Sequence, residues 1–385
     1  MLKKYSKNFW LLSLSSYLFF SSFTMIIPEL PGYLSRMGGE EYVGLIVALF
    51  TLTAGLSRPF SGKLTDKWGR IPVMLIGAIV SGLSALCYPL ATSVFGFLAI
   101  RLFHGFSTGF KPTGTSAYVA DIVTKDKRGE ALGILSFFGS IGMASGPAVG
   151  SWVFLEFGMN TLFYLSSIFA FASVAILAGM KETLVDRSKF NKSMLKISRN
   201  DIFEPLVFAP AIVMVLTTLA FGTVVTLAPD FGDFLGIENR GLFFVMFTGS
   251  SLLVRIIGGQ MSDRFGRTIV LKVSTLILFV SMFIIGFSTT VTQFFIGAFC
   301  FGLGYGLNSP TLFAWTIDLS PDTSRGKGIS TLFIFLEIGI GMGALISGFT
   351  YQGIDERFPM IFGIAGTFCL VAFAYLMMRN TPKHA

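Results

Sequence analysis

Charge is scarce in this chain. Only 13% of its 385 residues are Asp, Glu, Lys or Arg, about half the roughly 25% that soluble domains carry. Cysteine is scarcer still. Cys87, Cys300 and Cys369 all fall inside apolar runs, and an odd, widely spaced set offers neither a disulfide framework nor a metal motif. Histidine occurs twice. No G-x-x-x-x-G-K-[ST] pattern appears, which excludes a P-loop ATP site. The absence of H-E-x-x-H and paired C-x-x-C patterns likewise leaves no basis for a cofactor or a bound metal, and nothing else in the chain points to an enzyme. The net charge of +8 does not point to nucleic acid, because the basic residues lie between apolar runs rather than as a stripe on a folded face.

What the chain has is apolar length. It is 53% hydrophobic, with 43 Phe and 43 Gly and a mean hydropathy of +0.73. A bilayer core of about 30 Å takes roughly 20 apolar residues per helix. Apolar runs lie near 9–28, 42–61, 71–91, 94–119, 131–155, 161–179, 206–228, 242–261, 269–288, 291–316, 328–350 and 358–378. Twelve spans leave no room for a soluble domain, and runs this long do not suit an outer-membrane barrel. The first run follows Lys3, Lys4 and Lys7 as in a signal peptide, but it is too long and lacks an A-x-A site, so it reads as a retained span.

Orientation follows from Lys and Arg. With the N-terminus inside, 24 of the 29 basic residues fall in inside segments and three, Arg36, Arg240 and Arg357, in outside ones. The positive-inside rule then puts both termini in the cytoplasm. The expected home is a bacterial inner or plasma membrane. The polar stretch 181–205 reads as a cytoplasmic linker between bundles at 1–180 and 206–385.

The halves repeat. A shift of 197 residues places Gly44 on Gly241, Gly62 on Gly259, Asp66 on Asp263, Gly69 on Gly266 and Arg70 on Arg267. The same register pairs Asp121 with Asp318, Arg128 with Arg325, Gly142 with Gly339 and Gly146 with Gly343. Six spans per half give both halves one orientation, related by an axis along the membrane normal. The expected fold is an all-α membrane protein of twelve transmembrane helices, in two six-helix bundles with pseudo-two-fold symmetry around a central cavity.

Between the second and third spans lies Gly62-Lys-Leu-Thr-Asp66-Lys-Trp-Gly69-Arg70, with a second copy from Gly259 through Asp263 and Gly266 to Arg267. The glycines allow a tight turn and close helix approach. This doubled stretch resembles the signature loop of the major facilitator superfamily, and the resemblance covers the whole chain. It implies alternating access by two rocking bundles, with this loop as a latch. Asp66 would meet the start of the eleventh span and basic partners such as Arg70 and Arg128, and Arg325 would serve the second copy. Monomeric function is implied, with protons and a small molecule as partners in the lipid bilayer.

The fourth span carries Arg101, His104 and Lys111. Arg101-Leu-Phe-His104-Gly105 is similar to the family's R-x-x-Q-G element, linked there to proton coupling, with His for Gln. Arg101 either faces water or partners, or snorkels outward. His104 is either structural or a group that titrates near neutral pH. A mid-membrane lysine costs roughly 2.5–3.5 kcal/mol, so Lys111 is expected to line a cavity and meet an acid or an anionic substrate group. Tyr118, Tyr305, Asn308 and Trp315 are further cavity candidates. Glu337 and Glu29 are buried-carboxyl candidates for carrying a proton.

The fifth span reads Gly142-Met-Ala-Ser-Gly146-Pro147-Ala-Val-Gly150-Ser151, which resembles the family's antiporter motif with Ser151 in place of its last glycine. The resemblance implies proton-driven export of a drug-like compound or metabolite. Proton symport of a sugar, organic acid or peptide is the alternative that Lys111, Arg101 and His104 support.

Overall fold

The computed structural model describes residues 5–124, 128–184, 187–197, 202–320 and 325–379. Within its helices, the side chains of 128–130, 193, 255–260, 263 and 325–326 lie outside that description. Arg128, Gly259, Asp263 and Arg325 are among them.

Everything regular among the described residues is helical. Thirteen α-helices follow one another: α1 Lys7–Thr24, α2 Leu30–Ser35, α3 Val43–Lys67, α4 Arg70–Cys87, α5 Val94–His104, α6 Phe106–Ile122, α7 Arg128–Ala178, α8 Phe208–Phe234, α9 Leu242–Phe265, α10 Arg267–Gly286, α11 Val291–Leu319, α12 Arg325–Tyr351 and α13 Phe358–Met378. Within a bilayer a helix satisfies every one of its interior backbone groups without water. Serine and threonine hydroxyls do the same for themselves. Thr24 donates to the Phe20 carbonyl, Thr115 to Lys111 and Thr311 to Leu307.

Among the described residues, eight helical stretches are long and apolar enough to cross a membrane. One of them, Ala131–Ala178, is two spans in one. Gly158 sits inside α7 at φ 80°, ψ 174°, which breaks the helix there. Before the break α7 runs parallel to α1: Gly142 packs on Tyr17, Gly146 on Ser21 and Gly150 on Met25. After it α7 runs antiparallel: Ser166 donates to the Ser22 carbonyl, and Ser173 bonds Ser15 at 2.8 Å. The loop expected between the fifth and sixth spans therefore shrinks to a reversal around one glycine, which tolerates positive φ. Counted with α5–α6, α9 and α11, the helical stretches among the described residues make up the twelve expected spans.

The chain packs as two units. Met1–Leu30 goes with Leu52–Asp201, and Pro31–Thr51 with Ile202–Ala385. The repeat reaches into the helix caps of each unit. Ser93 caps α5 by accepting from Gly96 N, and Thr290 caps α11 by accepting from Gln293 N, 197 positions on. The second unit has a phenylalanine core in which Phe231 stacks on Phe358 at 4.2 Å between ring centres. There Gly44 of α3 and Gly348 of α12 touch backbone to backbone, leaving no space for a Cβ on either.

Candidate functional site

The signature loop is built around an arginine. Arg70 opens α4, and its Nε donates to Asp121 Oδ2 at the end of α6, 3.0 Å away. Asp66 is a weaker partner, 3.4 Å from Arg70 and largely exposed. The second unit repeats the pair. Arg267 Nε donates to Asp318 Oδ2 at 2.9 Å. The separation is 51 residues in both cases.

Gly69 connects α3 to α4 at φ 139°. The N-terminus of α4 is capped from far along the chain. Glu182 accepts from Arg70 N and Ile71 N, each at 3.0 Å, placing a carboxylate at the positive end of the helix. A Cβ at Gly69 would lie 2.5 Å from Glu182 Oε2. Burial on its own raises the Glu182 carboxyl. Four backbone N–H donors, from Leu184, Arg70, Ile71 and Thr183, outweigh that and hold it below its ordinary value.

Other described linker residues up to Met194 follow the same path. Thr183 Oγ1 donates to Asp121 at 2.6 Å, Arg187 Nε to the Trp68 carbonyl at 2.9 Å, and Ser188 N to the Lys67 carbonyl at 2.9 Å. Phe190 packs on Trp68, and Met194 on Leu64 and Val73. Sequence composition marked this stretch only as a spacer. In the structure it is a strap across the first signature loop. Tyr118 belongs here as well, with its hydroxyl donating to the Lys181 carbonyl at 2.9 Å. Gly62 differs from Gly69, since a Cβ there would meet nothing within 4 Å.

The glycines of the fifth span form the α1–α7 seam. A Cβ at Gly142 would lie 2.6 Å from the Tyr17 carbonyl, and one at Gly150 would collide with the Met25 carbonyl. Gly339 and Gly343 do the same on α8, against Val215 and Leu219. Small residues at fourfold spacing are how helices approach closely in lipid, and both units use them. Pro147 lies inside α7 next to this seam. Ser151, where the sequence departs from the antiporter pattern, donates to Glu29 Oε1 at 2.7 Å, and both residues are buried. Glu337 is buried on α12.

A polar line crosses the first unit. Arg101 Nη1 lies 3.4 Å from the Tyr88 hydroxyl, which lies 3.2 Å from His104 Nδ1. His104 Nε2 is 3.2 Å from Ser81 Oγ, itself 3.2 Å from Ser22 Oγ. Donation can run one way throughout, from the guanidinium through tyrosine, imidazole and both serines to the Phe19 carbonyl, which Ser22 reaches at 2.8 Å. Tyr88, Ser81 and Ser22 carried no sequence signal, because their meeting depends on helix rotation. Lys111 lies beyond this line, fully buried, with Nζ 4.8 Å from the Phe19 ring centre.

In the second unit Asn308 is held on both ends. Its Oδ1 accepts from Thr217 and its Nδ2 donates to Ser274, each at 3.1 Å. Tyr305 stacks on Phe221 at 4.8 Å, and Trp315 packs among Met214, Leu271 and Leu332. Among the described residues no group of three or more His, Cys, Asp or Glu converges as a metal site.

Twelve helical spans, duplicated arginine-based loops and glycine seams define a polytopic membrane transporter with an internal repeat. The family model described as Major Facilitator Superfamily matches residues 9–253 and 211–385, and the chain belongs to that superfamily. It is 25% identical over 371 residues to the multi-drug resistance efflux pump PmrA of Streptococcus pneumoniae, covering 92% of this chain and 91% of that one. It is 24% identical over 395 residues to multidrug resistance protein 2 of Bacillus subtilis, covering 98% and 96%. The crystal structure of the nucleoside transporter NupG shares the fold with a TM-score of 0.77 at 13% identity, covering 97% of this chain and all of that one. That of the human organic anion transporter MFSD10 does so at 0.73 and 18%, covering 96% and all of it.

Proposed function

We propose that this transporter exports drug-like compounds in exchange for protons. The observation that carries the reading is similarity over nearly the full chain to relatives named as multidrug efflux pumps. The Lys- and Arg-rich ends, with the linker, face the cytoplasm, so the substrate leaves from that side. The protein works as a monomer in a bacterial inner membrane. The two bundles, 1–180 and 206–385, rock about a midplane site. Glu29 and Glu337 are the proton carriers, one in each bundle, and both are buried. Arg101 and His104 belong to the coupling machinery of the first bundle. The duplicated arginine loops gate the cytoplasmic side.

The test is proton movement in proteoliposomes with an imposed pH gradient and an internal pH dye. Lipophilic cations, neutral compounds and lipophilic anions are added in turn, followed by sugars and organic acids. Gradient collapse on adding a lipophilic compound, lost in Glu29→Gln or Glu337→Gln, supports antiport and names the carrier. Proton flux in the same direction as a sugar or organic acid overturns it in favour of symport.

A further inference from the structure

Lys111 presents a charge problem that no described residue of its unit solves. Its amine is buried in the first unit, 1% exposed. Its one neighbour of electrostatic note is the Phe19 ring, 4.8 Å from Nζ. No carboxylate or hydrogen-bond acceptor meets the amine among the described residues. The one buried carboxylate described in this unit is Glu29, ten residues beyond Phe19 in the turn past the end of α1. It is engaged with Ser151. Arg101, the other buried cation, lies one helix earlier and adds positive charge rather than cancelling it.

A second unsatisfied group points the same way. Ser107 lies one turn before Lys111 on the same face of α6, where residues four apart are neighbours. Its hydroxyl is buried and has no hydrogen-bond partner. An ammonium and a hydroxyl, both buried and both lacking an acceptor among the described residues, are complementary to one small anionic group. The surroundings suit an aromatic body behind it. Phe19 packs against Phe20 and Phe23 with ring centres 5.6 Å apart in each case, and such faces accept offset or edge-on rings. A buried charge is tolerated when it is paired and hydrogen-bonded, and no described residue of this unit supplies the pairing group.

We propose that Lys111 and Ser107, backed by the Phe19 ring, recognise the anionic head of an amphipathic aromatic substrate carrying a carboxylate or sulfonate. This deepens the efflux reading and rests on it for the transport step alone, because binding can be measured without a gradient.

The experiment uses two xanthene dyes of opposite charge, fluorescein and rhodamine 6G, binding to the purified full chain and followed by fluorescence anisotropy. Wild type binds fluorescein more tightly. Lys111→Met, close in volume, weakens fluorescein by about thirtyfold or more, as expected for truncating one member of a desolvated charge pair. Rhodamine 6G binding stays the same or tightens. Ser107→Ala causes a smaller loss for fluorescein alone. Three results overturn the proposal: tighter wild-type binding of rhodamine 6G, wild-type fluorescein affinity in Lys111→Met, or no binding of either dye. Should Lys111→Met not give a monodisperse protein, the wild-type preference and Ser107→Ala decide. Lys111-dependent fluorescein binding without proton-driven export of any compound would sink the efflux reading and leave this site standing.

Discussion

Ser151 Oγ donates a 2.7 Å hydrogen bond to Glu29 Oε1, tying α7 to the turn that follows α1. Glutamine at position 29 can still accept that bond but cannot ionise. Glu29→Gln should therefore unfold at the wild-type temperature while losing pH-driven transport. Ser151→Ala strips a donor from a buried carboxyl and should cost about 1–3 kcal/mol. Thermal unfolding in detergent separates the two. Equal destabilisation by both changes would mean that ionised Glu29 is needed for the fold.

Arg70–Asp121 and Arg267–Asp318 are the same contact in two units. Both pairs are partly exposed, so each is worth about 0.2–1 kcal/mol. Asp121→Asn and Asp318→Asn should lower the unfolding midpoint by similar small amounts, and molar salt should erase the difference from wild type. A large loss confined to Asp121→Asn would show that its bond from Thr183, absent from the second pair, is the stronger element.

Glu182 has a folded value below its ordinary 4.5. Its contribution is complete above that ordinary value and is lost as pH falls through the lower folded value. The stability difference between wild type and Glu182→Gln should be constant at neutral pH and shrink below about pH 4.5. A difference that grows on acidification would contradict the capping geometry. Gly69→Ala should destabilise at every pH, since both its φ and Glu182 oppose a side chain.

Seam glycines and open glycines should part company. Gly150→Ala and Gly343→Ala drive a methyl into a carbonyl on the facing helix, and overpacking of this kind costs about 1–3 kcal/mol. Gly62→Ala meets nothing and should keep wild-type stability. If Gly62→Ala keeps its stability but loses transport, that glycine serves motion and not packing.

Much of the architecture was legible in the linear chain because membranes make sequences explicit. Apolar length reports each span, and the shift of 197 residues survives in Arg70 and Arg267, in Asp121 and Asp318, and in the caps Ser93 and Thr290. Lys111, Arg101, His104 and Glu29 stood out because a charged or polar group in an apolar run is costly. Partners were harder to read. Helix rotation decides that His104 meets Tyr88 and Ser81, and that Arg70 meets Asp121 more closely than Asp66. The reversal at Gly158 falls between the apolar runs 131–155 and 161–179, and only its tightness, one glycine with positive φ doing the work of a loop, goes beyond what composition shows. The strap was hidden because Glu182 finds its partners 111 and 112 residues back, beyond the reach of any local pattern.

That strap decides where the chain can be cut. A gene divided at residue 180 would give Glu182, Arg187 and Phe190 to the fragment that does not contain the loop they hold. A division after 201 keeps them together, matching the end of the first packing unit. Even then neither fragment is self-sufficient, because Pro31–Thr51 is encoded in the first and packs with the second. Two plasmids carrying these fragments should restore activity only when present in the same cell.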